Sequence, residues 1–186
     1  MKTEVDNYIS ELQQTVIVAG LNYDIWWVYE DNQTRPLYFD AMNRYTPFFQ
    51  MSIHAHFIAT LVALYRLYET RPDTFNIPSL LSLLRGKKDL PPSVIGDLEE
   101  SYKNLKPLWV KVSVLRNKAF AHRAIEYTIS DVFREANAKP DDLCDLIEGS
   151  KDLLNQVSRA WSNSGHAFNL HARDATIRLL DDLNRL

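Results

Sequence analysis

Apolar side chains recur every three or four residues over long stretches of this chain, which is the spacing of one face of an α-helix. The first stretch covers residues 5–26, and the second covers residues 49–67 and begins near Pro47. Both stretches are long enough to predict helices that bury one side. The predicted buried positions are Val5, Ile9, Leu12, Val16, Ala19, Tyr23 and Trp26 in the first helix and Phe49, Ile53, His56, Thr60, Ala63 and Leu67 in the second.

Three further helical stretches follow a proline-containing loop region, in which residues 79–84 are predicted as a short helix. The third long stretch runs from about Ser93 to Arg123, and it is either kinked by Pro107 or restarted there with Asn104 as its cap. A fourth follows Pro140, and a last one covers residues 174–186. The predicted buried positions of the fourth are Leu143, Leu146, Ser150, Leu153 and Val157. Because no Val/Ile/Thr-rich alternating stretch suggests a sheet, the sequence predicts an all-α antiparallel helical bundle.

Composition agrees with a single domain over residues 1–186. With 46% hydrophobic residues, a chain of 186 residues can bury a core of its own. An uninterrupted apolar run of 18 residues and a basic start followed by an apolar segment are both lacking, so we expect a cytoplasmic protein that does not enter a membrane. The single Cys144 excludes an internal disulfide and suits a reducing compartment.

Several kinds of site are disfavoured by residue spacing. The chain has only five glycines and no glycine-rich phosphate loop, which argues against an ATP or dinucleotide cofactor. His54 and His56 are two residues apart on a helix and point to nearly opposite sides, so they cannot share a metal ion. We therefore expect neither a cofactor nor a metal. An aromatic cluster is expected mainly in the core, with base stacking as the alternative: Trp26, Trp27, Tyr29, Tyr38 and Phe39.

Positive charge is concentrated in one segment of an acidic chain. The net charge is −3, yet residues 102–123 contain basic side chains and no acidic one, as a polyanion-binding face does. Among them, Lys111, Lys118 and Arg123 are the residues we expect to bind RNA. The alternative is that these cations pair inside the fold with the acidic run Asp141, Asp142, Asp145, Glu148 and Asp152.

Arg116 and His122 lie within this basic segment and supply the two side chains that a metal-free phosphodiester-cleaving site needs most. A histidine moves protons near neutral pH, and an arginine holds a phosphate with two parallel hydrogen bonds. The guanidinium of Arg116 is expected at the edge of an apolar face, where either an internal carboxylate or a phosphate could satisfy it. A second pair with similar spacing, Arg159 and His166, is separated by Trp-Ser-Asn-Ser-Gly and is interpreted as a coincidence across a loop.

The segment Arg116-Asn117 with His122, near the end of a hydrophobic helix in a small all-helical chain, resembles the HEPN superfamily. In its length and in the segments Leu-Arg-Asn-Lys and Ala-His, the chain is most similar to the abortive-infection branch of that superfamily. This branch is linked to phage defence and toxin–antitoxin systems. As architecture the resemblance covers most of the chain, and as a motif it covers about seven residues. It departs from the subgroup with a modifiable Tyr two residues after the His, because position 124 is Ala.

The resemblance implies a metal-independent endoribonuclease whose catalytic residues are Arg116, His122 and Asn117. It also implies a homodimer that brings two motifs together, RNA as substrate and, for a toxin, a neutralising antitoxin protein. From the residues alone, a second interpretation stays open. In that one, the chain is a non-catalytic module of the same fold, and its basic surface binds nucleic acid, a nucleotide or a partner protein.

Overall fold

In a computed structural model of the chain, residues 3–121 and 129–185 are described, and these form α-helices and one short 3₁₀ helix, with no strand among them. The all-α bundle predicted from the sequence is therefore confirmed. The helices are α1 (Glu4–Glu30), the 3₁₀ helix (Arg35–Tyr38), α2 (Phe39–Arg44), α3 (Thr46–Tyr68), α4 (Ile77–Lys87), α5 (Pro92–Ala121), α6 (Ile129–Glu135), α7 (Pro140–Ser162) and α8 (Arg173–Asn184).

Helix α1 begins at a capping box, in which the Thr3 hydroxyl accepts a hydrogen bond from the Asp6 backbone N–H and the Asp6 carboxylate accepts one from the Thr3 backbone N–H. All seven positions of its predicted apolar seam are buried, and Gly20 does not interrupt the helix. Helix α1 packs most extensively against α3, and α5 and α7 complete the core around this pair. The period of the sequence thus determined both the helix and the face that it buries.

Helix α3 matches its predicted start and end, and four of its six predicted seam positions, Phe49, Thr60, Ala63 and Leu67, are buried. By length and composition alone this helix could also cross a membrane, since an 18-residue window has a mean hydropathy of 1.3, and 33% of that window is buried. The helix has no uninterrupted apolar run of 18 residues, because polar side chains such as His54 and His56 interrupt it. A single helix of this kind is weak evidence for a membrane span, because core helices pass the same test.

Helix α5 is continuous through Pro107, so the alternative in which the helix restarts there is wrong. A proline within a helix removes one backbone hydrogen bond, to the carbonyl four residues earlier. That carbonyl belongs to Lys103, and Lys103, Lys106 and Pro107 are all exposed, so water can take the place of the missing donor. The proline therefore lies on the side of the helix where it disturbs least.

Three short elements were not predicted: the 3₁₀ helix, α2 and α6. Helix α6 matters most for the core, because Phe133 stacks on Trp26 at a ring-centroid distance of 5.9 Å and packs on Phe57 at 5.6 Å. At seven residues it is too short for its period to be read from the sequence. Helix α4 extends beyond the predicted residues 79–84 because the Asn76 side chain caps it by accepting a hydrogen bond from the Ser79 backbone N–H.

The α5–α7 contact holds the basic segment against the core. Gly149 of α7 faces Leu105 of α5, and a Cβ atom at this glycine would overlap a Leu105 methyl carbon. On the neighbouring side, the hydroxyls of Tyr68 and Ser150 are buried and hydrogen bonded at 2.7 Å, which joins α3 to α7. All five predicted seam positions of α7 are buried. The surfaces of α3 and α7 thus fix how α5 is rotated, and that rotation determines which of its side chains face outward.

The aromatic cluster is mainly core, as expected. Trp26, Tyr29 and Tyr38 are buried, and Trp27 is partly buried against the core. Phe39 is the exception, because its side chain is 55% exposed. It begins α2 at the surface, so the part of the prediction that placed it in the core is wrong.

Candidate functional site

Arg116 lies in the last two turns of α5, half-buried, with its guanidinium between two aromatic rings. The guanidinium carbon is 4.6 Å from the ring centroid of Tyr65 on α3 and 5.4 Å from that of Phe120 on α5. A guanidinium is planar and weakly hydrated, so it stacks well on aromatic faces. Trp109 extends the aromatic wall, with its ring centroid 6.1 Å from that of Tyr65. The two rings therefore hold the guanidinium at a fixed place on the surface of α5.

The hydrogen bonds of Arg116 leave part of the guanidinium unused. Its Nη1 donates to the Asn117 side-chain oxygen at 3.1 Å, and its Nε is buried without a hydrogen-bond partner. Within residues 3–121 and 129–185 no carboxylate forms an ion pair with it. Of the two partners that the sequence left open for this cation, an internal carboxylate is thus not found in the described part of the chain. An unsatisfied buried donor costs about 1–3 kcal/mol.

Lys111 and Lys118 have different surroundings. Lys111 Nζ lies 2.8 Å from Asp142 Oδ1 at the start of α7, and Lys118 Nζ lies 2.8 Å from Glu135 Oε2 at the end of α6. On a helix they lie about 140° to 160° around the axis from Arg116. The alternative of internal pairing therefore applies to both lysines, although of the acidic run only Asp142 takes part in these pairs. Their predicted contact with RNA stays a prediction.

Asp142 is the carboxylate that pairs with Lys111, and its surroundings favour its ionised form. Burial acts to raise the pKa of its carboxyl, but hydrogen bonds from Lys111 and from the Lys139 backbone N–H outweigh it, so the pKa lies below its ordinary value. The same carboxylate caps the first turn of α7, where a negative charge is favoured by the helix dipole. The Lys111–Asp142 pair thus ties α5 to the start of α7 and has a structural function of its own.

Lys106 lies on the outer face of α5. It is exposed and forms no ion pair with any described residue, whereas Lys103 on the previous turn lies 3.7 Å from Glu100. Lys106 and Phe120 are separated by about 40° around the helix axis and about 21 Å along it. The outer face of α5 therefore carries a lysine that has no ion pair among the described residues, the guanidinium of Arg116 and the exposed ring of Phe120.

Two of the predicted site residues, His122 and Arg123, lie outside the described residues. Helix α5 is described as far as Ala121, the residue immediately before His122. The structure therefore brings together Arg116 and Asn117 of the three predicted catalytic residues.

The other sequence candidates have structural roles. Helix α7 ends before His166, whose Nδ1 accepts a hydrogen bond from the Phe168 backbone N–H at 3.0 Å, so Arg159 and His166 do straddle a loop. His56 Nδ1 lies 2.8 Å from the Asn22 side-chain oxygen. Burial raises the pKa of the Cys144 thiol, and nearby carboxylates add to this effect, which disfavours the thiolate form that reacts as a nucleophile. Among the described residues, no group of three or more His, Cys, Asp or Glu side chains is placed to hold a metal ion.

Sequence reasoning missed Tyr65, Phe120 and Lys106 as members of this site. Phe120 carried a usable signal, because it lies four residues after Arg116 and such pairs meet on a helix. Lys106 could have been distinguished from Lys111 in the sequence, because the two residues lie about 140° apart around the helix axis. No sequence signal identifies Tyr65, because its contact with Arg116 joins two helices that are distant in the chain.

Comparison with known families adds an independent observation. The chain matches the family model HEPN_AbiU2, described as AbiU2, over residues 2–181. No curated protein and no solved structure matches the chain. The match covers nearly all of the 186 residues and includes the segment from Arg116 to His122. The chain therefore belongs to the HEPN_AbiU2 family, an abortive-infection-associated family of the HEPN superfamily.

Proposed function

We propose that this abortive-infection HEPN chain is a metal-independent endoribonuclease whose site contains Arg116, Asn117 and His122. The observation that carries the proposal is the state of Arg116. Its guanidinium is positioned by Tyr65, Phe120 and Asn117, and no carboxylate of the described residues neutralises it. A cation that is held in place and left without an anion is suited to a phosphate ligand.

In the proposed reaction, the 2′-hydroxyl of the RNA attacks the adjacent phosphorus in line. The bond between the 2′-oxygen and phosphorus forms as the bond to the 5′-oxygen breaks, which gives a 2′,3′-cyclic phosphate and a 5′-hydroxyl. His122 transfers the proton, since an imidazole can act as base or acid near neutral pH. Arg116 donates hydrogen bonds to the phosphate oxygens, on which negative charge increases in the transition state.

Asn117 and Tyr65 position the arginine in this mechanism. The Asn117 amide oxygen accepts from Nη1, so one donor of the guanidinium is used to fix its orientation, while Nη2 forms no hydrogen bond with a described residue. The Tyr65 ring covers one face at 4.6 Å. An arginine held in this way loses little conformational freedom when it binds a phosphate, which is the physical content of preorganisation.

A non-catalytic module is the second candidate, and the pairing of Lys111 and Lys118 favours it. With these two cations satisfied by Asp142 and Glu135, the charge left on this segment is smaller than the sequence suggested. A surface of this kind could bind one phosphate group or an acidic partner protein without cleaving anything. The two candidates differ in whether the loss of His122 abolishes a reaction or only weakens binding.

The deciding experiment incubates the purified protein with structured RNAs, including tRNA and rRNA, in EDTA. We expect cleavage that leaves cyclic phosphate ends and falls by roughly 10²- to 10⁴-fold in His122→Ala, because that is the contribution of a positioned proton-transfer group. Arg116→Ala is expected to fall by roughly 10²-fold or more. His54→Ala and Arg178→Ala serve as matched controls, since both residues are exposed and lie on α3 and α8.

Dependence of cleavage on magnesium, or full activity in either site variant, would contradict the endoribonuclease. Binding of RNA without any cleavage, unchanged in His122→Ala, would support the non-catalytic module. We further propose that the chain acts in the cytoplasm as a homodimeric toxin or phage-defence effector that a neutralising antitoxin protein holds in check. Co-expression with neighbouring genes tests the antitoxin, which should restore growth to cells in which the chain alone is toxic.

A further inference from the structure

Phe120 is a large apolar side chain that contacts Arg116 and is not part of the core. Its side chain is 51% exposed, and its ring centroid is 5.4 Å from the guanidinium carbon. Single exposed apolar residues are common, so exposure alone indicates nothing. Here the exposed ring lies beside a cation whose donors are only partly used, and these two groups are the ones that a nucleotide contacts with its base and its phosphate.

The two aromatic rings that contact Arg116 have different surroundings. Tyr65 and Phe120 both contact the guanidinium, but the Tyr65 ring continues into the packed aromatic wall through Trp109. Phe120 belongs to the last described turn of α5 and is half open to solvent. Tyr65 is therefore part of a packed aromatic group, whereas about half of the Phe120 side chain is open to solvent.

Charge extends this arrangement along the helix. Lys106 is exposed, forms no ion pair with the described residues and lies on the same side of α5 as Phe120, about 21 Å away along the axis. Lys111 and Lys118, in contrast, point towards α7 and α6 and are paired there. A polyanion lying along the outer face of α5 would contact Lys106, Arg116 and Phe120, whereas Lys111 and Lys118 already have carboxylate partners.

We propose that the outer face of α5 binds single-stranded RNA, with an unpaired base stacked on Phe120, the adjacent phosphate on Arg116 and a more distant phosphate on Lys106. This inference rests on the proposed function, because it names the form of the RNA that the same site takes. A base within a duplex is already stacked on both faces, so an open aromatic ring selects bases in loops, bulges and single strands.

Fluorescence anisotropy with 2′-O-methyl hexanucleotides, which cannot form the cyclic phosphate, tests this binding mode apart from cleavage. Phe120→Ala is expected to weaken binding by at least about 5-fold, the lower end of what one base–aromatic stack contributes. Phe120→Trp should bind as well as the unmodified protein. Val110→Ala is the matched control, because Val110 is an apolar side chain on the same helix and is 48% exposed.

A second arm identifies the base that stacks. Each position of the hexanucleotide is replaced in turn by an abasic residue, and one position should weaken binding to the unmodified protein while having no further effect on Phe120→Ala. If every abasic penalty is the same in both proteins, or if Phe120→Ala binds normally, the stacking proposal is overturned. Equal affinity for an RNA duplex without unpaired bases would also overturn it.

The outcomes separate this inference from the proposed function. Cleavage in EDTA that is unaffected by Phe120→Ala would retain the endoribonuclease and remove the stacking site. Coupling between Phe120 and one base, in a protein that cleaves no RNA, would retain the binding site and remove the endoribonuclease. Circular dichroism of Phe120→Ala checks that the fold is unchanged, as the exposure of this side chain leads us to expect.

Discussion

Arg116 and Lys111 are cations five residues apart on one helix, yet their neighbours give them different chemistry. Lys111 meets a carboxylate that is itself fixed at the start of α7, whereas Arg116 meets two rings and an amide. A paired cation contributes to stability, and a cation without an anion can contribute to binding. From the sequence alone, an internal carboxylate and a phosphate were both open as partners of each cation, although Arg116 was predicted to be catalytic and Lys111 to bind RNA.

Arg116→Lys keeps the positive charge of the side chain and removes the planar guanidinium. An ammonium neither stacks between two rings nor offers a planar fork to a phosphate, so we expect cleavage to fall by roughly 10²-fold although the charge is retained. Thermal unfolding should be nearly unchanged, because the guanidinium has no carboxylate partner among the described residues. Wild-type cleavage rates for Arg116→Lys would show that only the positive charge matters.

A pair of lysine variants tests the two sides of α5. Lys111→Ala is expected to lower the free energy of unfolding by about 1 kcal/mol, after allowance for solvent screening of a partly exposed pair, and to weaken RNA binding less than Lys106→Ala does. Lys106→Ala should weaken RNA binding and reduce its salt dependence, with no loss of stability. Chemical denaturation and binding at two salt concentrations measure both. The reverse pattern would place the RNA on the other side of the helix.

The ion pair between Lys111 and Asp142 makes the stability of the protein depend on pH in a direction that can be predicted. The pKa of the Asp142 carboxyl is lower in the folded protein than its ordinary value of 3.8, so its contribution to stability is present above that pH and is lost as pH falls through the folded pKa. Asp142→Asn should therefore be less stable than the wild type at neutral pH, and the difference should shrink below about pH 4. A constant difference down to pH 2 would contradict the ion pair as its source.

At the scale of elements, the position of α5 depends on a close approach to α7. Gly149 leaves room for Leu105, and this contact, together with the unbroken path of α5 through Pro107, determines where Arg116 lies relative to Tyr65 on α3. Glycine normally weakens a helix interior by about 1 kcal/mol relative to alanine. Its presence at this position is explained by packing.

Two glycine substitutions separate helix propensity from packing. Gly96→Ala, with nothing within 4 Å of the added Cβ atom, should raise the free energy of unfolding by about 0.5–1 kcal/mol. Gly149→Ala gains the same propensity but displaces Leu105, and we expect a net loss of about 1 kcal/mol. Denaturant titration measures both. If both variants are stabilised equally, α5 does not approach α7 as closely as the structure shows.

At the scale of the whole molecule, the open question is whether one chain holds a complete site. Arg116 and His122 are six residues apart, and if α5 continued regularly they would be separated by about 120° around the axis and about 9 Å along it. A single straight helix would aim them at different places. Two copies related by a twofold axis could bring the arginine of one chain to the histidine of the other.

Subunit exchange tests this arrangement. Inactive Arg116→Ala and inactive His122→Ala, when mixed, should recover part of the activity, because the mixed dimer has one site with both side chains and one with neither. Sedimentation should show a dimer at tens of micromolar. If confirmed exchange gives no recovery, the model in which the two chains share each site is abandoned. A monomer in sedimentation would lead to the same conclusion.

The long helices and their buried faces were determined by the sequence itself. A period of three and four residues places Val5 to Trp26, or Leu143 to Val157, on one side of a helix whatever surrounds it, so the core could be predicted position by position. The same local reasoning failed for α6, which is too short to show a period, and for Phe39, whose aromatic character says nothing about its exposure.

The site was only partly determined in this way. The sequence predicted Arg116 and Asn117 as site residues because motif and helix position are local properties, and it placed both within a basic segment. Only the tertiary structure decided which cations of that segment are paired and which ring lies over the arginine. Those contacts join α5 to α3, α6 and α7, and they depend on how each helix is rotated against its neighbours, which no pattern along a single segment encodes.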